Sequence, residues 1–402
     1  MPRRLSQIEF VALMAMIMST IAFSIDAMLP ALPEIAGELS AGSENRAQLI
    51  LTFFLLGMGV GTLFTGMLSD RFGRKSVMLV GAGVYVLASG VAWAAQSLEL
   101  MLAARLVQGL GAAGPRIVAL AVIRDLYAGR GMAKIMSFVM MVFTIVPALA
   151  PLVGAYLISH GGWRAIFVAF VLFMGLACIW LAVRLPETLA VEDRRPMRVA
   201  ALKQALNEML HHPTVRLSVI VQTLCFGMLF SMLSSVQPIY DVTFGRGDEF
   251  PYWFFGVAIL AGTGSLLNAA LVGRLGMRFL VTVTLSVQLG ISSVMVLLSL
   301  VDLPLTFGFL TFVVWQVSVF FQAGMTLGNL NALAMEPMGH IAGTAASVIG
   351  AISTVFSVVL AIPLGLMFDG TTLPLAVGIC LMALASLLFM LHMRRVEARL
   401  PA

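Results

Sequence analysis

The stretch Gly66-Met67-Leu68-Ser69-Asp70-Arg71-Phe72-Gly73-Arg74-Lys75 lies between two long apolar runs, 47–68 and 76–96. A bilayer core takes about 20 apolar residues per helix, so the charged segment reads as a tight turn between two membrane-spanning helices. Gly66 permits close helix approach. Gly73 permits a turn that a larger residue would strain. Asp70, set among Arg71, Arg74 and Lys75, can hold a charge-assisted clamp across the loop. The alternative is that the cations only enforce topology, but a loop held inside by positive charge needs no Asp.

Working outward from this turn, further apolar windows fall at 8–29, 99–123, 134–158 and 164–184. A second set falls at 215–239, 252–273, 279–301, 304–333, 341–367 and 372–392. The fold expected is therefore all-α and integral to a membrane, with about twelve spans in two pseudo-symmetric six-helix bundles, 1–184 and 214–402. A polar segment, 185–213, links them, and its part 197–210 reads either as an interfacial amphipathic helix or as a plain tether. The first run, to about Leu29, outlasts the roughly 7–15 residues of a signal-peptide core and is read as a span.

Composition requires the same solvent. Of 402 residues, 60% are hydrophobic and 11% charged, against about 25% charged in soluble domains, and the mean hydropathy is +1.02. The net charge of +5 is no nucleic-acid signal, because the basic residues sit in short loops. Cys178, Cys225 and Cys380 lie inside apolar runs and read as small hydrophobes. No Walker-type loop, metal-ligand cluster or nucleophile–base arrangement is present, so no cofactor, metal or enzymatic activity is expected, and any energy comes from an ion gradient.

Lys and Arg crowd one set of loops, including Arg3, Arg4, Arg71, Arg74, Lys75, Arg124, Arg184, Arg195, Arg198, Arg278, Arg394 and Arg399, while the other set holds Arg46, Arg164 and Arg246. This asymmetry places both termini in the cytoplasm.

The quoted loop resembles the signature G-x-L-x-D-R-x-G-R-K of the major facilitator superfamily. That resemblance implies a conformational latch built from Gly66, Asp70, Arg71, Gly73, Arg74 and Lys75, together with Arg124-Asp125. The stretch Gly273-Arg274-Leu275-Gly276-Met277-Arg278 is a faint second copy, as parallel repeats would give. In the fifth span, Pro147, Pro151 and Gly154 resemble the proline- and glycine-rich motif of proton-coupled exporters, although kinked membrane helices have other uses. In the fourth span, Arg105-Leu106-Val107-Gln108-Gly109 resembles the superfamily motif whose arginine is linked to proton coupling. The run Asp26-Ala27-Met28-Leu29-Pro30-Ala31-Leu32-Pro33 is similar to that of the bicyclomycin/chloramphenicol-resistance (Bcr/CflA) branch, as are Glu336-Pro337 and Ala342-Gly343-Thr344-Ala345. Many members of that branch carry an aromatic residue where Ala27-Met28 stands.

Charged groups at membrane depth are costly and mark function. Asp26 is read as the proton-coupling acid, with Arg105 at similar depth as its partner. Burial favours the neutral acid and a guanidinium the ionised one, so such a pair can switch; a purely structural ion pair is the other reading. Arg116, eleven residues beyond Arg105, returns to within about 20° of the same helix face. It could attract an anionic group or balance charge. Cavity candidates are Phe23, Gln108, Gln222, Phe226, Gln237, Asn268, Gln316, Gln322 and Asn329, although most such polar residues only bond neighbouring helices.

The resemblance implies an antiporter of the bacterial inner membrane, working as a monomer. It would export a small amphipathic, drug-like compound against protons by rocking two halves about a cavity lined by spans one, four, seven and ten. A proton-coupled importer shares most of these signals. A receptor or scaffold would not need charges inside its spans.

Overall fold

The structure is a computed structural model and describes residues 5–398, apart from Arg195 and Arg198. Arg3, Arg4, Arg195, Arg198 and Arg399, counted above among the cytoplasmic cations, lie outside the described residues. The chain divides into two compact units, Met1–Ala200 and Ala201–Ala402.

The first unit holds α1 (Gln7–Asp26), a short α2 (Leu32–Leu39), α3 (Leu49–Phe72), α4 (Arg74–Trp93), α5 (Leu98–Leu126), α6 (Gly129–Gly161) and α7 (Arg164–Arg184). After α8 (Val199–His211) come α9 (Pro213–Pro238), α10 (Phe250–Leu275), α11 (Met277–Leu298), α12 (Leu305–Met335), α13 (Ala342–Leu366) and α14 (Leu373–Glu397). Among the described residues eleven apolar stretches could cross a bilayer, and the tenth, Leu305–Leu366, is 62 residues long. At about 1.5 Å per residue that is about three bilayer cores. A 3-10 turn at Glu336–Ile341, with Met338 out of helical conformation, breaks it into α12 and α13. Twelve long helices result, each on one of the apolar windows. The short α2 was not expected from hydropathy.

Both units use one packing plan. In the first, α5 lies between α3 and α4, α1 packs on α5, α6 and α7, and α4 packs on α7. In the second, α12 lies between α10 and α11, α9 packs on α12, α13 and α14, and α11 packs on α14. The two plans superpose helix for helix in sequence order, the mark of parallel repeats.

Small residues set the closest contacts, because lipid gives apolar helices no reason to associate beyond packing and hydrogen bonding. A Cβ at Gly109 on α5 would run into the carbonyl of Phe54 on α3, and one at Gly57 into that of Leu106. The two backbones therefore touch. Gly83 on α4, by contrast, has nothing within 4 Å of an added Cβ. Gly109→Val is expected to cost about 1–3 kcal/mol or more through overpacking, while Gly83→Val is tolerated. Thermal unfolding of the two purified variants measures the difference; equal midpoints would exclude the close contact.

Candidate functional site

The first unit is organised around Arg105. Its side chain is wholly buried, with 0% exposure. It donates from Nε to the Ile50 carbonyl (3.2 Å), from Nη1 to Gln108 Oε1 (2.6 Å) and from Nη2 to the Ser24 carbonyl (2.9 Å). The guanidinium also stacks on Phe54, 4.5 Å from the ring centroid. Gln108 passes the chain on to Ser89 Oγ (2.6 Å), and Ser24 Oγ meets the Tyr85 hydroxyl (2.5 Å). Ser24 lies in the last turn of α1, whose carbonyls lack intrahelical partners, and a cation there complements the helix dipole. Arg105 thus joins α1, α3 and α5.

The expected Arg105–Asp26 pair is not formed. Among the described residues no cation lies within 4 Å of the Asp26 carboxyl, and no donor bonds it. The depth was matched, but the azimuth was not: two residues along a helix is about 200°. Ser24 faces α4 and α5, so Asp26 faces away from them. Asp26 is 5% exposed and is the only buried carboxylate among the described residues. Seven residues earlier, on nearly the same face, Ser19 is also buried, and its hydroxyl has no partner. Immediately after Asp26, α6 closes on α1. A Cβ at Gly154 would strike the Ala27 carbonyl. Pro147 and Pro151 lie within one continuous α6, with Ala148 and Ala150 buried beside them.

Arg116 is brought to neither group. It is half-buried, and its one hydrogen bond among the described residues runs from Nη1 to the Met58 sulfur at 3.6 Å. Phe23 packs against Phe170 and Phe173 of α7, and Gln108 belongs to the Arg105 network.

At the far end of α3 the charged turn is a closed assembly. Arg74 donates to Asp70 Oδ1 (2.6 Å), Ser69 Oγ (2.7 Å) and Asp125 Oδ2 (3.1 Å). Lys75 Nζ reaches the Ala182 carbonyl (2.7 Å). Gly73 has φ +97°, open to glycine at little cost, and a Cβ there would collide with Glu187 Oε2. Ser69 Oγ donates to the carbonyl of Gly66. Arg71 lies over the Phe72 ring, and Arg124 Nε reaches only the Leu120 carbonyl at 3.4 Å. Neither belongs to the assembly.

In the second unit Gly276 repeats the turn, with φ +80° and ψ 154° against 97° and 153° at Gly73. Arg278 there makes a two-pronged bond to Glu397 at 2.8 and 2.9 Å, and Thr214 donates to the same carboxylate. Asn329 donates to Asn268 (2.6 Å), Tyr240 to Gln316 (2.9 Å), and Gln322 to Thr326 (2.8 Å). Gln222 Oε1, Gln316 Nε2 and Gln322 Oε1 are buried without partners. Phe226 stacks on Phe230, and Gln237 is buried at the end of α9.

The sequence profile of the Major Facilitator Superfamily matches residues 12–362. The chain belongs to the Major Facilitator Superfamily. It is a multi-pass membrane transporter and not an enzyme. The bicyclomycin resistance protein homolog of Haemophilus influenzae is 29% identical over 385 residues, 94% of either chain. The multidrug resistance protein MdtL of Salmonella typhimurium is 29% identical over 262 residues, 63% of either chain. A partially occluded, inward-open structure of the xylose transporter XylE from E. coli shares the fold, with a TM-score of 0.75 at 14% identity, covering 96% of this chain and 97% of that one.

In this transporter sequence reasoning missed Glu187. Its carboxylate accepts from the backbone N–H groups of Arg74 (2.8 Å) and Lys75 (3.2 Å) and from those of Thr188 and Leu189. It therefore caps α4, where a negative charge also suits the helix dipole. The available signal was an acid directly after the last span of the first unit, at Pro186-Glu187-Thr188. Glu187→Ala should lower local stability by about 1–2 kcal/mol, as loss of a cap does, with Glu187→Gln losing less. Faster amide hydrogen exchange confined to residues 70–78 is the expected reading; unchanged exchange there would show the cap to be idle.

Proposed function

We propose that the transporter exports a small amphipathic compound from the cytoplasm in exchange for protons, with Asp26 as the proton carrier. Asp26 carries this reading: it is the one buried carboxylate among the described residues, and it has neither a cation nor a hydrogen-bond donor attached. A carboxyl group so placed is free to exchange its proton with whatever water reaches it, whereas a charge at membrane depth serving only structure would be expected to be paired. Arg105 acts indirectly, by holding the end of α1 on which Asp26 stands. Gly154, pressed on Ala27, ties the proline-bearing α6 to that same point, so movement of α6 is felt at the acid.

In the cycle, Asp26 releases its proton to the cytoplasm as substrate binds, and is reprotonated from outside once substrate has left. The names of the bicyclomycin- and multidrug-resistance relatives support outward transport of toxic compounds. The charge asymmetry of the loops supports termini in the cytoplasm of a bacterium, with the protein in the inner membrane. A single chain carries both repeats, which supports a monomer as the working unit.

The test uses protein reconstituted in liposomes with an imposed pH gradient. Wild type is expected to move protons when an exported compound is added, and Asp26→Asn to bind the compound while moving none. Compound-evoked proton flux surviving in Asp26→Asn would place the carrier elsewhere. Accumulation of compound with inward-moving protons would make the protein an importer.

A further inference from the structure

Arg116 has no evident employment in the fold. It stands ten residues from the inner end of α5 (Leu98–Leu126) and eighteen from the outer end, about 15 Å and 27 Å at helix rise. That is well inside a hydrocarbon layer about 30 Å thick. A guanidinium carries five N–H donors and cannot shed its charge in practice. Among the described residues only one of these donors finds a hydrogen-bond acceptor, the Met58 sulfur at 3.6 Å, and a thioether is a weak acceptor. Among the described residues no carboxylate lies within 4 Å of it.

The contrast with Arg105 is instructive, because the two lie on one stripe of one helix. Arg105 has 0% exposure, three bonded nitrogens and an aromatic ring beneath it. The stripe is sealed at Gly109, where α3 and α5 touch through the Phe54 carbonyl. Seven residues further, about two turns, the same stripe is partly exposed at Arg116. A bare guanidinium facing lipid at this depth is untenable, so the opening faces water or a ligand. Nor does Arg116 serve Asp26. Arg105 is level with Ser24, and Arg116 lies about 16 Å inward of that level.

We propose that Arg116 is the seat of an anion-binding subsite, and that the exported compound carries a carboxylate or similar acidic group docked there. The proposal rests on the export reading for the compound's route but not for the site. In a site of low dielectric, a planar guanidinium with free donors selects a group that accepts two parallel bonds. A neutral amide of the same shape offers one acceptor and no charge. The compound class that fits is an amphipathic organic acid, its apolar body beside Met58 and its acid on Arg116.

The experiment labels the full-length reconstituted protein with phenylglyoxal, which modifies accessible arginine, and reads each arginine by peptide mass. The probes are 2-naphthoate and its amide, 2-naphthamide. Arg116 is expected to react and Arg105, fully bonded, to resist. 2-Naphthoate should protect Arg116 at a concentration at least about tenfold below that of 2-naphthamide, the least that a charge-assisted contact is worth. An unreactive Arg116, or an acid that protects no better than the amide, overturns the proposal. Neither outcome depends on proton coupling, so a failure at Asp26 leaves this result standing, and the reverse.

Discussion

A buried guanidinium in a hydrocarbon solvent must have its donors met by protein, and that demand on Arg105 shapes the first unit. Its partners are mostly backbone carbonyls, at Ile50 and Ser24, which can be reached only if the helices come very close. Gly57 and Gly109 supply the closeness. The Ser24 carbonyl is available because α1 ends within the next turn, leaving its last carbonyls unpaired. The arginine is therefore a spacer and a cap at once, and the end of α1 is fixed by it rather than by hydrophobic contact alone.

Because Arg105 uses a carbonyl and not the neighbouring acid, Asp26 is left without a lock. Had the two formed an ion pair, separating them would have carried the heavy cost of leaving a charge unpaired in a dry site. In the proposed cycle the proton on Asp26 comes and goes while the scaffold beneath stays bonded. The end of the unit that holds the charged turn follows the opposite logic. There Glu187, Arg74, Asp70 and Asp125 satisfy one another, and these four groups hold α3, α4, α5 and the segment after α7 together. The second unit keeps this joint in reduced form, Arg278 on Glu397, with the glycine turn intact and the acid supplied by the last helix.

Hydropathy and one motif made the spans legible because a helix crossing a bilayer has little freedom in length or composition. The charged turn was legible because its glycine and its ions are tied to a backbone geometry that recurs at Gly276. Three features were not. The helix Leu32–Leu39 buries Leu32, Ile35 and Ala36 at helical spacing but is far too short to register among apolar runs of bilayer length. Glu187 acts on residues more than a hundred positions away, and no local pattern announces a contact of that range. The pairing of Asp26 with Arg105 failed for a third reason: depth along a helix can be counted from sequence, but which way a residue faces depends on which neighbour the helix packs against. The observed use of Ser24 settles that direction, and Asp26 follows from it by rotation.

The two units also differ in what they leave unsatisfied. In the spans of the first unit the groups without full partners include a carboxyl and a guanidinium, Asp26 and Arg116. In the spans of the second they are neutral: the amides of Gln222, Gln316 and Gln322 and the hydroxyls of Ser231, Ser235, Ser353 and Ser386. Neutral amides and hydroxyls act as donor or acceptor as the occasion requires and do not change charge with pH. Helices lined this way can meet chemically varied partners, including water, with modest and similar energies. Charged groups are selective, because an unmatched charge at this depth is heavily penalised. Two copies of one packing plan are thus divided by their side chains, with charged groups left short of partners in the first and neutral ones in the second.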